Sequence, residues 1–405
     1  MCYKLYRQVS FLQYGLTKKV HLEMTLVFLS SLICFATLLK LKRDPVEPAF
    51  LLVIVWGLIS GMEIYWGVYS ISLYAQIIIS ASIAFFCMSS ALISSRIFSS
   101  NKIYPNYINS NIGMYLSLFL VIFFPVFVNG LNGLSELSNT TAIELRDAMT
   151  ESNHNKDLSP IISIGLNFPI VFLIYYTSVV SKVRDKWLFC LFFVGLLYIL
   201  LSFSKGYLLQ FVIPPLINLY IRGLITKKHL SVIFCILLSV IILLFFVRDY
   251  FVGSSVLFQM YILAPVAAFD QIVLGKFSLN SPEYDFLTPF YDFFNLAIDR
   301  SRDTHWVDVG VPTNVFTVFG ILTNDFGGFG CVIIFSLLGV LSRVIYIKAR
   351  NNQNVILLTL LGWVIYGVGL SFFSDGLLGM IGTYSKYLLL IYFIDCFFSK
   401  RIKIS

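Results

Sequence analysis

Long apolar runs joined by polar connectors constrain this chain more than any other feature of its sequence. A helix needs about 20 apolar residues to cross the hydrocarbon core of a bilayer. Hydrophobic residues make up 58% of the 405 residues and charged residues only 12%, whereas soluble domains contain about a quarter charged residues. The sequence therefore predicts one all-α, polytopic membrane domain over residues 1–405, with about 11 (10–12) transmembrane helices. The predicted spans lie near residues 22–40, 49–68, 73–93, 112–129, 160–180, 187–203, 207–221, 230–247, 325–347, 355–373 and 377–397.

The distribution of lysine and arginine predicts which connectors face the cytoplasm. Basic residues cluster in alternate connectors and in the C-terminal tail, as is typical of cytoplasmic loops. The net charge of +8 therefore indicates a lipid bilayer as partner and no nucleic acid. Two long loops, residues 130–159 and 248–324, are left outside, the second with more acidic than basic residues. The same parity puts the N-terminus outside, against the charges of Lys4, Arg7, Lys18 and Lys19: either that segment lies on the membrane surface or the span count is off by one.

The second outer loop has substructure of its own. Residues 256–275 are apolar but are interrupted by Pro265 and Asp270, which predicts a re-entrant helix, a surface helix or a further span. An aromatic-rich run with a 3.6-residue period over residues 287–299 is typical of a helix in the interface plane. Pro312 is expected in the first turn of another helix.

The polar stretch from Asp299 to Gly330 is the longest interruption of the apolar pattern and the predicted centre of function. His305, Asp303 and Asp308 are candidate catalytic bases, because imidazole titrates near neutral pH and burial can tune carboxylates. Arginine matches phosphate oxygens bidentately and lysine supplies a point charge. The candidate phosphate-binding cations are Lys205, Arg248, Arg300 and Arg302, with snorkelling to lipid headgroups as the alternative for Lys205 and Arg248.

Several polar residues near or within the spans have both a functional and a structural explanation. Asn314 and Asp325 are suited to binding sugar hydroxyls or to capping helices. Glu63 and Lys386 are costly inside a bilayer, so each is expected to line a polar cavity or find a partner. Asp270 and Asp375 are the expected partners of Lys386, in an ion pair or a substrate contact. The glycines at 327, 328 and 330 favour close helix packing.

Motifs that would indicate other chemistry are missing from the sequence. It has no phosphate-binding Gly-rich loop, no paired metal-binding histidines, no nucleophile elbow and no Asp-x-Asp pair. No cofactor and no metal ion are therefore expected. None of the seven cysteines forms a pair in a polar loop, so disulfides are not expected.

Three segments together resemble the oligosaccharide repeat-unit polymerases of the Wzy type. They are PTNVFTVFGILTNDFGGFG (residues 312–330), YILAPVAAFDQ (261–271) and LSFSKGYLL (201–209). The first resembles the late Pro-Thr-Asn-Val-aromatic-Thr element that precedes Asp-Phe-Gly in that family. In the third, Lys205 stands where many members carry arginine. The resemblance covers most of residues 160–395, and the cluster around His305 does not belong to it.

The resemblance implies a metal-independent glycosyltransferase at the outer face of the bacterial inner membrane. Such enzymes polymerise undecaprenyl-diphosphate-linked oligosaccharides into O-antigen or other surface polysaccharide, including that of lipopolysaccharide. The lipid-linked oligosaccharide is then the main partner, and a chain-length regulator is a further expected one. Two alternatives remain: an O-antigen ligase-like transferase that uses the same lipid carrier, and a transporter or flippase of the lipid-linked oligosaccharide. No internal repeat supports the transporter.

Overall fold

A computed structural model describes residues 24–94, 111–134, 160–201, 205–236, 239, 257–279, 307–310, 312–313, 315–374 and 376–402. These residues are almost entirely helical, apart from one two-stranded antiparallel hairpin. The helices are α1 (Thr25–Lys40), α2 (Pro48–Trp66), α3 (Leu73–Leu92), α4 (Asn111–Leu134), α5 (Pro160–Val179), α6 (Lys186–Leu201), α7 (Lys205–Ile221), α8 (227–236), α9 (Leu257–Val273), α10 (Val318–Asn352), α11 (Val355–Gly369) and α12 (Ile381–Ile402). The hairpin consists of β1 (Val307–Asp308) and β2 (Pro312–Thr313).

The helices have the length and composition of a multi-pass membrane protein. Among the described residues, five are long and apolar enough to cross a bilayer: α2, α3, α4, α10 and α12. The other apolar helices are shorter, at 10–17 residues. Large apolar side chains such as Ile33, Phe193 and Leu337 stand exposed on the outside of the bundle. An apolar exterior of this kind is suited to lipid contact rather than to water.

Two hydrophobic cores divide the bundle into two halves. The first half consists of α1, α2, α3, α9 and most of α10, packed around Trp56, Phe319 and Phe335. The second half consists of α4, α5, α6, α7, α11 and α12, packed around residues such as Tyr198 and Phe211. The C-terminal end of α10 reaches the second core through Tyr346. Helices α10 and α11 therefore connect the halves.

The helices alternate in direction, so their connectors collect at two ends. At one end, here called the basic end, lie connectors 41–47, 180–185, 222–226 and 353–354. Contacts between segments join them: Arg43 donates to Ala91 O (3.0 Å), and Arg222 donates to Val180 O. Connectors 41–47, 180–185 and 222–226 contain basic residues that predict a cytoplasmic position.

The opposite end, here called the loop end, contains connectors 67–72 and 274–279, the described residues between 307 and 317, and segment 370–380, which is described at residues 370–374 and 376–380. The described residues of segment 370–380 hold the two halves together there. Ser371 O accepts a hydrogen bond from Val318 N (3.0 Å), and Ser371 Oγ accepts one from Trp56 Nε1 (3.0 Å). On the other side, Tyr384 donates to Gly376 O (2.8 Å).

The prediction for Pro312 was wrong. Pro312 pairs with Asp308 in the hairpin, and α10 begins at Val318, where the Thr317 side chain accepts a bond from Gly320 N (3.2 Å). The N-cap preference of threonine decides the start of this helix. The apolar run 256–275 contains α9 (Leu257–Val273), which runs through Pro265 and buries its apolar side in the first core.

Helix α10 is kinked at Gly327, and the predicted packing role of the glycines is confirmed at Gly328 but not at Gly327, whose added Cβ would meet no atom within 4 Å. Gly327 has φ +69° and ψ 171° inside an otherwise helical run, a conformation that side chains disfavour. At Gly328, an added Cβ would lie 2.7 Å from Ile78 Cδ1 of α3. The glycines therefore permit both the bend and the close approach of α10 to α3.

Candidate functional site

The hairpin at the loop end holds Asp308 in a fixed position. Val307 is buried beside Leu279 and Phe316, whereas the next residue, Asp308, is exposed. This alternation follows from the two-residue period of a strand. The Asp308 Oδ1 atom accepts a bond from Gly310 N (2.8 Å), and Gly310 has φ +94°. A candidate catalytic base thus projects from a small, anchored turn.

Glu63 and Tyr69 lie next to this hairpin. The Glu63 side chain at the end of α2 is 2% exposed, and its Oε1 accepts the Tyr69 N–H at 2.5 Å. Burial, together with the nearby Glu63 and Asp308 carboxylates, raises the pKa of Tyr69 to about 12. The phenol is therefore protonated at neutral pH and can donate a hydrogen bond. Its buried hydroxyl has no hydrogen-bond partner among the described residues. We call Glu63, Tyr69 and Asp308 the carboxylate–tyrosine site.

Asp270 joins helix α9 to helix α3. Its Oδ1 accepts bonds from the backbone N–H (3.0 Å) and the hydroxyl of Ser72. Ser72 in turn caps α3 by accepting from Ala75 N (3.3 Å). A carboxylate near a helix N-terminus is favoured by the partial positive charge there. This contact fastens α9 to α3.

Lys386 does not pair with Asp270, one of its two expected partners. Lys386 is exposed on α12, and among the described residues it forms no ion pair with a carboxylate. The physical reason is the packing, because Asp270 points to the N-terminus of α3 whereas α12 packs on α5 and α11. Asp375, the other expected partner, lies outside the described residues.

Asp325 lies where α10 leaves the hairpin region. Its neighbour Asn324 holds segment 274–279 by two bonds to Leu279: it accepts from the backbone N–H (3.1 Å) and donates to the carbonyl (3.4 Å). Asn324 also donates to Asp325 Oδ1 (3.2 Å). Asp325 is therefore oriented at the loop end, two residues before the kink at Gly327.

The remaining predicted site residues fall outside the described residues: His305, Asp303, Arg248, Arg300, Arg302 and Asn314. Lys205 is the first residue of α7, which begins at the loop end. The structure describes the backbone of Lys205 but not its side chain. Among the predicted residues, the structure thus brings Asp308, Asp270 and Asp325 to one end of the bundle. It leaves Lys386 on a separate surface.

A second polar cluster at the loop end is absent from the sequence-based prediction. Gln210 of α7 donates to Tyr366 Oη (3.4 Å) of α11 and lies 3.6 Å from Met380 Sδ. Trp363 stacks on Tyr384, with ring centroids 4.6 Å apart. In the sequence these residues are isolated within apolar runs. The one sequence pattern that indicates this cluster is the i, i+3 spacing of Trp363 and Tyr366, which places both residues on one helix face.

The basic end holds a closed network of charges. Glu47 is 1% exposed, pairs with Arg343 (2.8 Å) and accepts from Ser90 (3.1 Å). Asp44 accepts from Tyr220 (3.1 Å to each oxygen) and pairs with Arg350. Although burial acts to raise the pKa of Asp44, bonds from Val46 N, Tyr346 and Arg350 hold it below its usual range. This network ties the connector 41–47 to α7 and α10.

No protein-family model, curated protein or solved structure matches this chain. The geometry of the two ends and the sequence pattern therefore carry the functional argument.

Proposed function

We propose that this chain is a glycosyltransferase that polymerises undecaprenyl-diphosphate-linked oligosaccharide repeat units at the outer face of the bacterial inner membrane. In this proposal the chain has about 11 spans, the loop end is extracytoplasmic and the basic end is cytoplasmic. The observation that carries the proposal is the position of Asp308. It stands exposed on an anchored hairpin beside Tyr69, directly before the segment 312–330 that resembles the late motif of Wzy-type polymerases.

The reaction requires one bond to form and one to break. A hydroxyl of the acceptor sugar attacks the anomeric carbon of the donor glycan, and the bond from that carbon to the lipid diphosphate breaks. The diphosphate leaves with the bonding electron pair, and the hydroxyl proton passes to a base, for which Asp308 is our candidate together with Asp303 and His305. Tyr69 supplies a neutral donor to a sugar oxygen. Lys205, Arg248, Arg300 and Arg302 are proposed to stabilise the departing diphosphate.

The proposal is tested with the full chain purified and reconstituted in liposomes. We expect lipid-linked repeat units alone to be converted into a ladder of longer glycans, seen on a gel, with no ion gradient. Transfer only to a different acceptor would indicate the ligase-like alternative, and movement of intact units between leaflets would indicate the transporter. Either result without a ladder would overturn the proposal.

A cellular experiment tests the cationic part of the site. In a deletion strain complemented with Arg300→Ala/Arg302→Ala, we expect membrane-inserted protein and glycans of a single repeat unit. Lys227→Ala/Lys228→Ala, which removes two cations at the basic end, is the matched control and is expected to leave long ladders. Long ladders from the Arg300/Arg302 variant would exclude these arginines from the reaction.

A further inference from the structure

The cluster where α7, α11 and α12 meet contains two buried polar atoms without partners. Gln210 is 4% exposed and Trp363 is 2% exposed. Among the described residues, Gln210 Oε1 accepts no hydrogen bond and Trp363 Nε1 donates none. Buried polar groups are nearly always hydrogen-bonded in folded proteins, so each exception requires an explanation. Two exceptions in one cluster indicate a missing common partner.

The chemistry of the two atoms indicates what that partner is. Gln210 Oε1 requires a donor, and Trp363 Nε1–H requires an acceptor. A hydroxyl group is both, and a molecule with several hydroxyls can reach the two atoms at once. The partner therefore has the polar chemistry of a sugar.

The surrounding aromatic rings are held in place by contacts of their own. Tyr384 lies parallel to Trp363, with an angle of 9° between the ring planes, and its hydroxyl donates to Gly376 O. Tyr387 is tilted against Trp363 at 5.7 Å and donates to Asn167 Oδ1 (2.6 Å). Apolar ring faces with a few placed polar groups are typical of small-molecule sites. Such a wall suits the C–H faces of a sugar ring.

The cluster is within reach of the loop end. Gln210 is five residues into α7, which at 1.5 Å per residue puts it about 7.5 Å from the start of that helix. Tyr207 and Met380 are half-buried and lie between the cluster and the loop end.

We propose that Gln210 Oε1 and Trp363 Nε1 bind sugar hydroxyls in the second half of the bundle, at a site separate from the carboxylate–tyrosine site of the first half. The inference rests on the proposed function, because a polymerase must hold a donor glycan and an acceptor glycan at the same time. The two halves then supply one glycan site each, and segment 370–380, which contacts both halves, lies between them.

The test uses two variants that each remove an orphaned atom, Gln210→Leu and Trp363→Phe; Gln210→Leu also removes the Nε2 bond to Tyr366 Oη. The probe is the free oligosaccharide repeat unit, released by mild acid from the lipid-linked pool of the source cells. Binding to the full chain in lipid nanodiscs is measured by calorimetry. We expect each variant to raise Kd for the probe about tenfold, the effect of one lost hydrogen bond. We expect the Tm of the ligand-free protein to change little, because removing an unsatisfied buried group offsets the lost bond of Gln210 and the smaller volume of phenylalanine.

A raised Kd with little change in Tm separates ligand binding from structural packing. The control is Tyr198→Phe, which removes a hydroxyl that donates to Leu120 O (2.5 Å). The ring that carries this hydroxyl packs against Phe127. This variant is expected to lower Tm and leave Kd unchanged. A lower Tm with unchanged Kd in both test variants would identify the cluster as packing and overturn the inference, as would a wild-type protein that does not bind the probe. The liposome assay tests the proposed function separately. If the wild-type protein lengthens glycans but the cluster does not bind sugar, only this inference is overturned. If the wild-type protein does not lengthen glycans, the proposed function is overturned, whatever the binding result.

Discussion

The two ends of the bundle differ in how their buried polar groups find partners within the protein. At the basic end, the carboxylates of connector 41–47 meet intramolecular cations: buried Glu47 pairs with Arg343, and half-buried Asp44 pairs with Arg350. At the loop end, the hydroxyl of Tyr69 and the orphaned atoms of Gln210 and Trp363 are buried without partners in the part of the chain that the structure describes. Near the basic end, Asn218 Oδ1 is also buried without a partner among those residues, so the contrast concerns the paired charges of one end and the neutral orphaned groups of the other.

This difference separates scaffold from site. A buried ion pair fixes the position of the two helices that it joins, because moving or removing one partner leaves an uncompensated charge. An unsatisfied donor or acceptor weakens the fold by about 1–3 kcal/mol, so its retention is better explained by binding than by stability. Substitutions at the basic end should therefore change stability, and substitutions at the loop end should change activity.

The largest expected effect is on activity at the loop end. Asp308→Asn should lower the rate of glycan lengthening by about 10²–10⁴-fold, the usual contribution of a general base. Its Tm should stay near that of the wild type, because the side chain is exposed. The assay is ladder formation in liposomes. The control is Asp185→Asn at the basic end, whose carboxylate accepts from Trp187 N (2.8 Å) and is expected to leave the rate unchanged. A wild-type rate for Asp308→Asn would remove Asp308 from the proposed reaction.

The next effect is on stability at the basic end. Arg343→Met leaves Glu47 buried without its closest cation, which should lower the free energy of unfolding by about 3–5 kcal/mol. The double variant Glu47→Gln/Arg343→Met should recover most of that loss, since neither charge remains. Thermal unfolding in detergent measures both, and activity per folded molecule should be unchanged. If the single and double variants are equally unstable, the pair is not what holds α2 against α10.

The sequence predicts the helices better than it predicts the site, for a physical reason. Spans follow from local apolar runs, so the predicted segments coincide with helices such as α2 and α3. The close packing predicted from the glycines is present at Gly328. The contacts of Asp270 with Ser72 and of Gln210 with Tyr366 join residues 198 and 156 positions apart. No local pattern encodes such pairings. Pro312 shows the same limit, because its strand partner Asp308 overrides the helix-start preference of proline.

A smaller effect tests the charge of Asp44 through pH. Its pKa is lowered in the folded protein, so the folded state keeps the carboxylate ionised when the unfolded chain binds a proton. The stabilisation is present above about pH 4, the usual carboxyl pKa, and is lost as pH falls through the lowered value. At pH 7, Asp44→Asn should cost about 1–2 kcal/mol, reduced because Arg350 is half exposed. The gap in Tm between wild type and variant should close on acidification from pH 7 to pH 3; a constant gap would contradict the ion pair.

The smallest effect concerns the kink that joins the two ends through α10. Gly327→Ala must adopt φ near +69° with ψ 171°, a region that is essentially restricted to glycine, which should cost about 1–2 kcal/mol. No atom lies within 4 Å of the added Cβ, so the cost is conformational rather than steric. The control is Gly57→Ala in the middle of α2, where the nearest atom is Ser31 Cβ at 3.6 Å and alanine should be neutral or stabilising. Thermal unfolding of both variants gives the comparison. Equal stability would mean that α10 straightens at Gly327, and the orientation of Asp325 and the hairpin would then have to come from segment 274–279 alone.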